Sequence, residues 1–215
     1  MEGPSHVVFG LAGAVVADSL LHLSGPVLLG APLPADPHQV ADQVVLKGVF
    51  YAFAALGALT PDIDNARSTL GKRFGFVSRG LQRIAGHRTF FHSLIGLIMV
   101  GAFIWGVQYA LGWGLYDLGF HRAGVALGAG SEPEINRASI RGVALIALLV
   151  GYFLHLVADS LTVGGVPWLW PNPMRIGFPP ERTWRFKSGS ATEPVVVVTV
   201  AVLVVVALFF GALRI

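Results

Sequence analysis

Long apolar runs alternate with polar segments along the whole chain. The five runs cover residues 7–23, 44–59, 90–116, 142–161 and 195–213. A helix needs about 20 mostly apolar residues to cross a bilayer, and about 17 is the lower limit. The first run, which Asp18 and His22 interrupt, only just reaches this length, whereas the last run is uncharged. The pattern predicts an all-α, polytopic membrane helix bundle with four or five transmembrane helices.

The composition is typical of a membrane protein built as one unit. Of the 215 residues, 54% are hydrophobic and 13% are charged, whereas a soluble domain has about 25% charged residues. The mean hydropathy is +0.67, and the length suits one bundle, so we expect a single membrane-embedded domain over residues 1–215. The segment 1–6 lacks the basic region of a cleaved signal peptide, so we expect it to belong to the fold.

Basic residues are concentrated in two of the polar segments. Of the fifteen Lys and Arg residues, six lie in segment 60–90 and four in segment 162–194. Because Lys and Arg are enriched in cytoplasmic loops, we expect both segments and the N-terminus to face the cytoplasm. The net charge of +3 is too small to indicate a nucleic-acid partner. We therefore expect membrane lipid as the surrounding partner and leave the oligomeric state open.

This orientation brings His and Asp residues from the ends of four runs to one face of the membrane. They are His6, Asp62, Asp64, His87, His92, His155 and Asp159. His155 and Asp159 are four residues apart, so on a helix their side chains share one face, about 6 Å apart along the axis. Ionisable groups within an apolar helix are costly and typically mark a functional site. The pattern predicts a polar cluster at the cytoplasmic face.

Imidazole and carboxylate side chains suit a divalent metal. The chain has no cysteine, which excludes thiolate ligands and favours Zn, with Mn or Mg as alternatives. Seven candidate ligands exceed the needs of one tetrahedral ion, so we expect one or two ions, as in hydrolases whose paired ions lie about 3.5–4 Å apart. We predict His87, in the exposed basic loop, as general acid or base. The predicted metal ligands are His6, Asp62, Asp64, His92, His155 and Asp159.

Each of these residues also has a structural interpretation. The N-terminal histidine alone is compatible with a surface position, and the Pro-Asp-x-Asp segment with a turn or helix cap. His155 and Asp159 are compatible with an ion pair inside the bundle. Asp18 and His22 have the same four-residue spacing but lie toward the opposite end of their run, where we predict a structural pair.

The order and spacing of these motifs resemble the YdjM family, small inner-membrane proteins of bacteria and archaea. The motifs are Ser5-His6, Leu59-Thr-Pro-Asp62-Ile-Asp64, His87-Arg-Thr-Phe-Phe-His92-Ser, His155-x-x-x-Asp159-Ser-Leu-Thr162 and Gly165-Val-x-x-Leu-Trp170-Pro171. The family reads His-Arg-Gly-x-Thr-His in the third motif, so Thr89-Phe90-Phe91 is a departure. The resemblance implies a multi-helix inner-membrane protein with a His/Asp metal site and metal-dependent hydrolase activity. Within these motifs we also predict substrate contacts for Arg88, Thr162 and Trp170.

We therefore expect metal-activated water to cleave an ester or phosphoester at headgroup depth, where a lipid or lipid-linked phosphoester would lie. Two other functions fit the same residues. A transporter of divalent cations or protons needs polar residues that continue across the bilayer, for which Asp18, His22 and Gln108 are the only hints. A non-catalytic, metal-stabilised scaffold needs a metal that is fully coordinated by protein and a fold that depends on it.

Overall fold

The computed structural model describes most of the chain as an all-α bundle. The described residues are 1–24, 37–65, 68–73, 75–76, 79–80, 90–117, 137–211, 213 and 215. The helices bounded within them are α1 Gly3–Leu21, α2 Pro37–Gly57, α3 Thr69–Arg73, α4 Leu94–Asp117, α5 Arg137–Ser160 and α6 Thr192–Phe209. Short 3-10 helices cover Thr60–Asp64 and Arg182–Trp184. Five of the described helices, α1 included, are long and apolar enough to cross a membrane, which confirms the predicted fold class.

Helix α5 is central, because it packs against α1, α2 and α4, while α6 packs against α1. The backbones of α2 and α5 approach closely where the two helices cross. A Cβ atom on Gly151 would lie 1.9 Å from the Ala54 carbonyl oxygen, and one on Gly57 would lie 2.1 Å from that of Leu148. Both positions therefore require glycine, in keeping with the small residues common at membrane helix crossings. The crossing brings the end of α2 next to the end of α5.

The outer surfaces of α4 and α6 carry large apolar side chains. They include Ile98, Phe103 and Trp105 on α4, and Leu203 and Phe209 on α6. The buried apolar side chains lie mainly where α1, α2 and α5 meet. Since the hydrocarbon core of a bilayer solvates apolar side chains, the exposed surfaces of α4 and α6 are suited to lipid contact.

Asp18 and His22, at the end of α1, do not form the predicted pair. Asp18 instead accepts hydrogen bonds from Ser24 Oγ at 2.6 Å, Tyr51 OH at 3.1 Å and Lys47 Nζ at 3.3 Å. The prediction is wrong because α1 ends one residue before His22, which is exposed and has a left-handed φ of 50°. The four-residue spacing therefore no longer keeps both side chains on one helix face. We call Asp18, Ser24, Lys47 and Tyr51 the lysine cluster.

The segment between α5 and α6 folds back over the start of α4. Two short backbone bridges order this segment. Trp168 fixes it on two sides, because its carbonyl oxygen accepts the Leu94 N–H at 3.0 Å and its indole N–H donates to Ser160 Oγ at 2.9 Å. The start of α4 and the end of α5 are thereby held together.

Candidate metal centre

The six predicted metal ligands are all buried, with exposed fractions between 0 and 5%. Four separate parts of the chain supply them. In chain order they are His6 on α1, Asp62 and Asp64 on the 3-10 helix, His92 just before α4, and His155 and Asp159 on α5. The ends of these elements meet at one face of the bundle, so the fold brings together side chains that are far apart in sequence.

Two overlapping groups of three residues could hold a metal ion. In each group the candidate ligand atoms lie within 4.8 Å of one another. The groups are His6, His155, Asp159 and Asp62, His92, His155. Asp64 is buried at the same face, but in the described part of the chain neither group includes it. We call the five residues of the two groups the histidine cluster.

The imidazole Nε2 atoms and the carboxylate oxygens converge on a small volume. His155 Nε2 lies 3.3 Å from His92 Nε2 and 3.7 Å from Asp159 Oδ2. His92 Nε2 lies 3.7 Å from Asp62 Oδ1, and His6 Nε2 lies 3.4 Å from Asp159 Oδ1. In a tetrahedral zinc site with Zn–N distances of about 2.0–2.1 Å, two nitrogens lie about 3.3 Å apart. The Nε2 atoms of His92 and His155 therefore have the spacing of two ligands of one ion.

Ala58, the residue after α2, fixes the orientation of the His155 ring. Its Nδ1 lies 2.7 Å from the carbonyl oxygen of Ala58, and since a carbonyl can only accept, Nδ1 carries the proton. The unprotonated Nε2 then faces the histidine cluster as a potential ligand. Gly151 allows this contact, because a Cβ there would lie 2.9 Å from the Ala58 backbone nitrogen. Sequence analysis missed the contact because a backbone carbonyl leaves no side-chain signal.

Hydrogen bonds on both sides fix the backbone around His92. Before it, Tyr152 OH donates to the carbonyl oxygen of Phe91 at 2.5 Å. After it, Ser93 Oγ accepts the N–H of Gly96 at 3.0 Å and caps the start of α4. Tyr152 and Ser93 are fully buried. Tyr152 lies three residues before His155, so helical spacing along α5 was the signal that could have identified it.

Several polar atoms of the histidine cluster lack the partners that burial normally requires. Among the described residues, His6 Nδ1, His6 Nε2, Asp62 Oδ1 and His92 Nδ1 form no hydrogen bond, since the contact of His6 with Asp159 lacks hydrogen-bond geometry. Each unsatisfied buried polar group costs about 1–3 kcal/mol, and charged groups cost more. A divalent cation near His6 Nε2 and Asp62 Oδ1 would offset part of this cost. Nitrogen and carboxylate donors without sulfur suit Zn or Mn, so the residues fit the predicted metal.

Two further groups were not predicted from the sequence: one contacts the histidine cluster, and the other holds the N-terminal segment that leads into it. The α-amino group of Met1 lies 2.5 Å from Asp159 Oδ1. Glu193, in the first turn of α6, is 2% exposed and accepts the backbone N–H of Glu2 at 2.8 Å and of Gly189 at 2.9 Å. Glu193 could have been identified in the sequence as an acidic residue just before the uncharged apolar run 195–213. Glu193 ties the start of α1 to α6.

The remaining predicted site residues fall into two groups. His87 and Arg88 lie outside the described residues. Thr162 is buried, and its Oγ1 donates to the Asp159 carbonyl oxygen at 2.8 Å. Trp170 is partly buried, with its ring 5.3 Å from an aromatic ring that precedes α4. Both contacts hold the segment after α5 in place, and substrate contact by these side chains stays a prediction.

A cavity of about 480 Å³ adjoins the histidine cluster at Asp62. Its other polar lining residues are Glu2, Asn65, Ser68, Lys72 and Ser188. Within the histidine cluster, Asp62 is the residue that lines this cavity. A small molecule in the cavity would therefore lie next to one of the buried candidate ligands.

The sequence is similar to proteins of the bacterial inner membrane. The family described as "YdjM inner membrane protein" matches residues 1–214. The chain is 32% identical over 126 residues to inner membrane protein YdjM of Escherichia coli (strain K12) and of Shigella flexneri, which covers 59% of this chain and 51% of each relative. The chain thus spans about half the length of these two relatives.

A third relative aligns over most of both chains. The "uncharacterized protein YvsG" of Bacillus subtilis (strain 168) is 26% identical over 196 residues, which covers 91% of this chain and 87% of that protein. No solved structure matches the chain. The similarity therefore concerns sequence, and it includes the helices that carry the histidine cluster.

Proposed function

This chain belongs to the YdjM family of inner membrane proteins, and on that premise we propose that it is a metal-dependent hydrolase of the membrane interface. The observation that carries the proposal is the histidine cluster, in which each of two overlapping groups of three has its ligand atoms within 4.8 Å of one another, and which borders a cavity at Asp62. A group of residues suited to a metal and open to a small molecule meets two basic requirements of metal-assisted hydrolysis.

We assign the metal to Nε2 of His92 and His155 and to the carboxylates of Asp62 and Asp159, with His6 as a further ligand. His155 offers a single nitrogen, because its Nδ1 is hydrogen-bonded to the Ala58 carbonyl oxygen. His155 belongs to both groups of candidate ligands but can bind only one ion through Nε2, which favours a single divalent ion. The donor types favour Zn, with Mn or Mg as alternatives. When bound, such an ion polarises a carbonyl or phosphoryl oxygen and lowers the pKa of water at its open position.

The residues of the chain would position the substrate and move the proton. Asp62 borders the cavity, so a substrate reaches the histidine cluster from this side. His87 is the proposed general acid or base, because His92 anchors the end of its loop at the cluster. The bond to be cleaved is an ester or phosphoester, and a membrane lipid or lipid-linked phosphoester is the substrate that the depth of the site favours.

We also propose that the histidine cluster faces the cytoplasm. Lys72 and Arg73 on α3 are exposed, belong to the basic segment 60–90 and lie near the cavity end of the bundle. The excess of basic residues in this segment and in 162–194 supports a cytoplasmic position under the positive-inside rule. A cytoplasmic site would act on headgroups of the inner leaflet.

A transporter and a metal-stabilised scaffold have less support. A transporter needs polar groups across the bilayer, but α1 has only apolar residues between His6 and Asp18. A scaffold has no need for access to its metal, whereas a cavity adjoins Asp62. The apolar residues of α1 thus argue against the transporter, and the cavity argues against the scaffold.

Metal content and hydrolysis by the detergent-purified protein test the proposal. By mass spectrometry we expect about one Zn or Mn per chain, falling at least about tenfold in Asp62→Ala and in His92→Ala. We also expect metal-dependent hydrolysis of 4-nitrophenyl acetate or 4-nitrophenyl phosphate that both variants lose. His22→Asn is the control, because His22 is exposed and Asn tolerates its left-handed backbone. Full metal content and activity in both cluster variants, or no metal after reconstitution, would overturn the proposal.

A further inference from the structure

The polar cavity lies between the start of α1, the residues Asn65, Ser68 and Lys72, and the turn at 188–189. Small-molecule pockets of about 300–1,000 Å³ are usually lined by apolar side chains. This cavity of about 480 Å³ is lined instead by polar groups such as Glu2, Lys72 and Ser188, which indicates a polar ligand. Its volume exceeds that of a lone phosphate ion, so a phosphate with an attached polar group would fit.

Asp62 is one of the residues that line the cavity. It is 5% exposed, and its Oδ1 has no hydrogen-bond partner among the described residues. A buried carboxylate oxygen without a partner indicates a missing donor or cation. Because the same Oδ1 lies 3.7 Å from His92 Nε2, the cavity and the proposed metal site share this residue.

Lys72 also lines the cavity. It lies on helix α3, which Ser68 fixes to Asp62. Ser68 Oγ donates to the Asp62 carbonyl oxygen at 2.7 Å and accepts the Gly71 N–H at 2.9 Å. The Lys72 N–H donates to the Ser68 carbonyl oxygen at 3.0 Å. Helix α3 is therefore anchored to the backbone of Asp62, and the exposed residue Lys72 lines the same cavity as the buried residue Asp62.

Glu193 holds the opposite wall in place. It bonds the backbone of Glu2 through Oε1 and that of Gly189 through Oε2, and both residues line the cavity. The two walls are thus fixed by hydrogen bonds of their own, so the cavity is formed before any ligand enters it. A preformed cavity needs little ordering energy to bind a ligand.

We propose that this cavity binds the phosphate-bearing headgroup of the substrate, with Lys72 as the counter-charge of the phosphate. The inference rests on the proposed hydrolase and deepens it by naming phosphoesters as the substrate class. A lysine ammonium pairs with phosphate as a point charge, and Glu2 suits a hydroxyl or amine of the same headgroup. Hydrolysis breaks one P–O ester bond. The hydroxyl group of a water molecule bonds to phosphorus, and the remaining proton of that water goes to the leaving oxygen.

The first experiment compares Lys72→Gln with Arg73→Gln in the full-length, metal-loaded protein. Arg73 is the matched control because it is exposed on the same helix but does not line the cavity. For 4-nitrophenyl phosphate we expect KM to rise about tenfold or more in Lys72→Gln only, which is the usual effect of losing a charged hydrogen bond. KM for neutral 4-nitrophenyl acetate should not change in either variant. Equal effects of the two variants on the phosphate substrate would overturn the inference.

Orthophosphate binding gives a readout that does not depend on turnover. We expect orthophosphate to raise the Tm of the wild-type protein, and Lys72→Gln to lose this shift while Arg73→Gln keeps it. If metal binds and the acetate is hydrolysed but orthophosphate gives no shift, the phosphoester inference fails while the proposed hydrolase stands. If no metal binds and no ester is cleaved but the Lys72-dependent shift persists, the cavity assignment stands and the proposed hydrolase fails.

Two phosphoesters distinguish a membrane source from a soluble source of the headgroup. Dihexanoyl phosphatidic acid and glycerol 3-phosphate carry similar phosphate groups, but only the first has acyl chains. Tighter Lys72-dependent inhibition by the lipid supports a lipid headgroup, and equal inhibition supports a soluble phosphoester. Inhibition by either compound that is unchanged in Lys72→Gln would overturn the inference.

Discussion

The lysine cluster and the histidine cluster lie near opposite ends of α1, about 18 Å apart along the helix axis. Both bury carboxylates within an apolar bundle. The lysine cluster contains its own cation, because Lys47 Nζ lies 3.3 Å from Asp18 Oδ2 and 2.9 Å from Ser24 Oγ. Tyr51 OH supplies a further donor to the same carboxylate. The lysine cluster thus neutralises its buried charge with side chains of the chain itself.

The histidine cluster is built differently. Asp62 Oδ1 lies 3.7 Å from Nε2 of the His92 imidazole and forms no hydrogen bond within the described residues. The α-amino group of Met1 contacts Asp159 rather than Asp62. One cluster therefore pairs its carboxylate with a cation of the chain itself, whereas the other is the one for which we propose a bound metal ion.

Breaking the lysine cluster should have the largest effect on stability. Lys47→Met leaves Asp18 buried without its cation, which should lower the free energy of unfolding by about 3–5 kcal/mol. The double variant Asp18→Asn/Lys47→Met removes the unpaired charge and should recover part of this loss. Unfolding of each variant in detergent measures the effect, and metal content should be unchanged. A loss below about 1 kcal/mol, typical of exposed pairs, would show that the pair is not buried.

Adding metal should stabilise the histidine cluster and leave the lysine cluster unaffected. At a free Zn concentration of about 100 Kd, binding to the folded state should add about 2.7 kcal/mol to the free energy of unfolding. Asp62→Asn should abolish this increase, and without metal it should be neutral or stabilising because it removes an unpaired buried charge. Tm measured with Zn and with a chelator tests both statements. An equal Zn shift in Asp62→Asn would mean that Zn binds elsewhere.

The crossing of α2 and α5 offers a sharper test of what positions the cluster. Gly151→Ala would place a Cβ 1.9 Å from the Ala54 carbonyl oxygen, and such overpacking costs about 1–3 kcal/mol. It should also displace the Ala58 carbonyl from His155 and weaken Zn binding. Gly142→Ala on the same helix meets nothing within 4 Å and should stabilise by about 0.5–1 kcal/mol. Tm and Zn titration of both variants make the comparison, and equal Zn affinity in the two would contradict the proposed role of the crossing.

Two His/Asp pairs have the same four-residue spacing in the sequence, but only one of them forms a side-chain contact in the structure. His155 and Asp159 are four residues apart on α5, which continues to Ser160, and their side chains meet at 3.7 Å. Asp18 and His22 have the same spacing, but α1 ends between them. Apolar runs predicted the helices well because the bilayer fixes their length. Helix ends depend on local capping and tertiary contacts, which an apolar run does not specify.

The parts of the site that sequence analysis missed depend on how helices cross. The Ala58 carbonyl became a partner of His155 because two glycines allow α2 and α5 to touch. Glu193 joined the site because α6 packs against α1, which no local pattern predicts. Ligand residues are recognisable by their chemistry, whereas the groups that orient them are defined by the three-dimensional packing.

The smallest expected effect comes from one hydroxyl group in each cluster. Tyr152→Phe removes the bond to the Phe91 carbonyl oxygen, next to His92, and Tyr51→Phe removes a bond to Asp18. Tyr152→Phe should lower the free energy of unfolding by about 1 kcal/mol, the usual net value of a hydrogen bond, and Tyr51→Phe by about 1.5 kcal/mol, because its acceptor is a carboxylate. Their effects on the metal should differ, because loss of a group that orients a ligand typically weakens metal binding about 10–100-fold.

Zn titration of the two variants, beside thermal unfolding, separates a positioning role from a purely structural one. Tyr152→Phe should bind Zn at least about tenfold more weakly, while Tyr51→Phe should keep the wild-type affinity at a similar loss of stability. Equal Zn affinity in both variants would mean that Tyr152 only stabilises the bundle. Weaker Zn binding in Tyr51→Phe as well would mean that the two clusters are coupled through α1. The separation of the clusters argues against such coupling, since substitutions more than about 7–10 Å apart usually act independently.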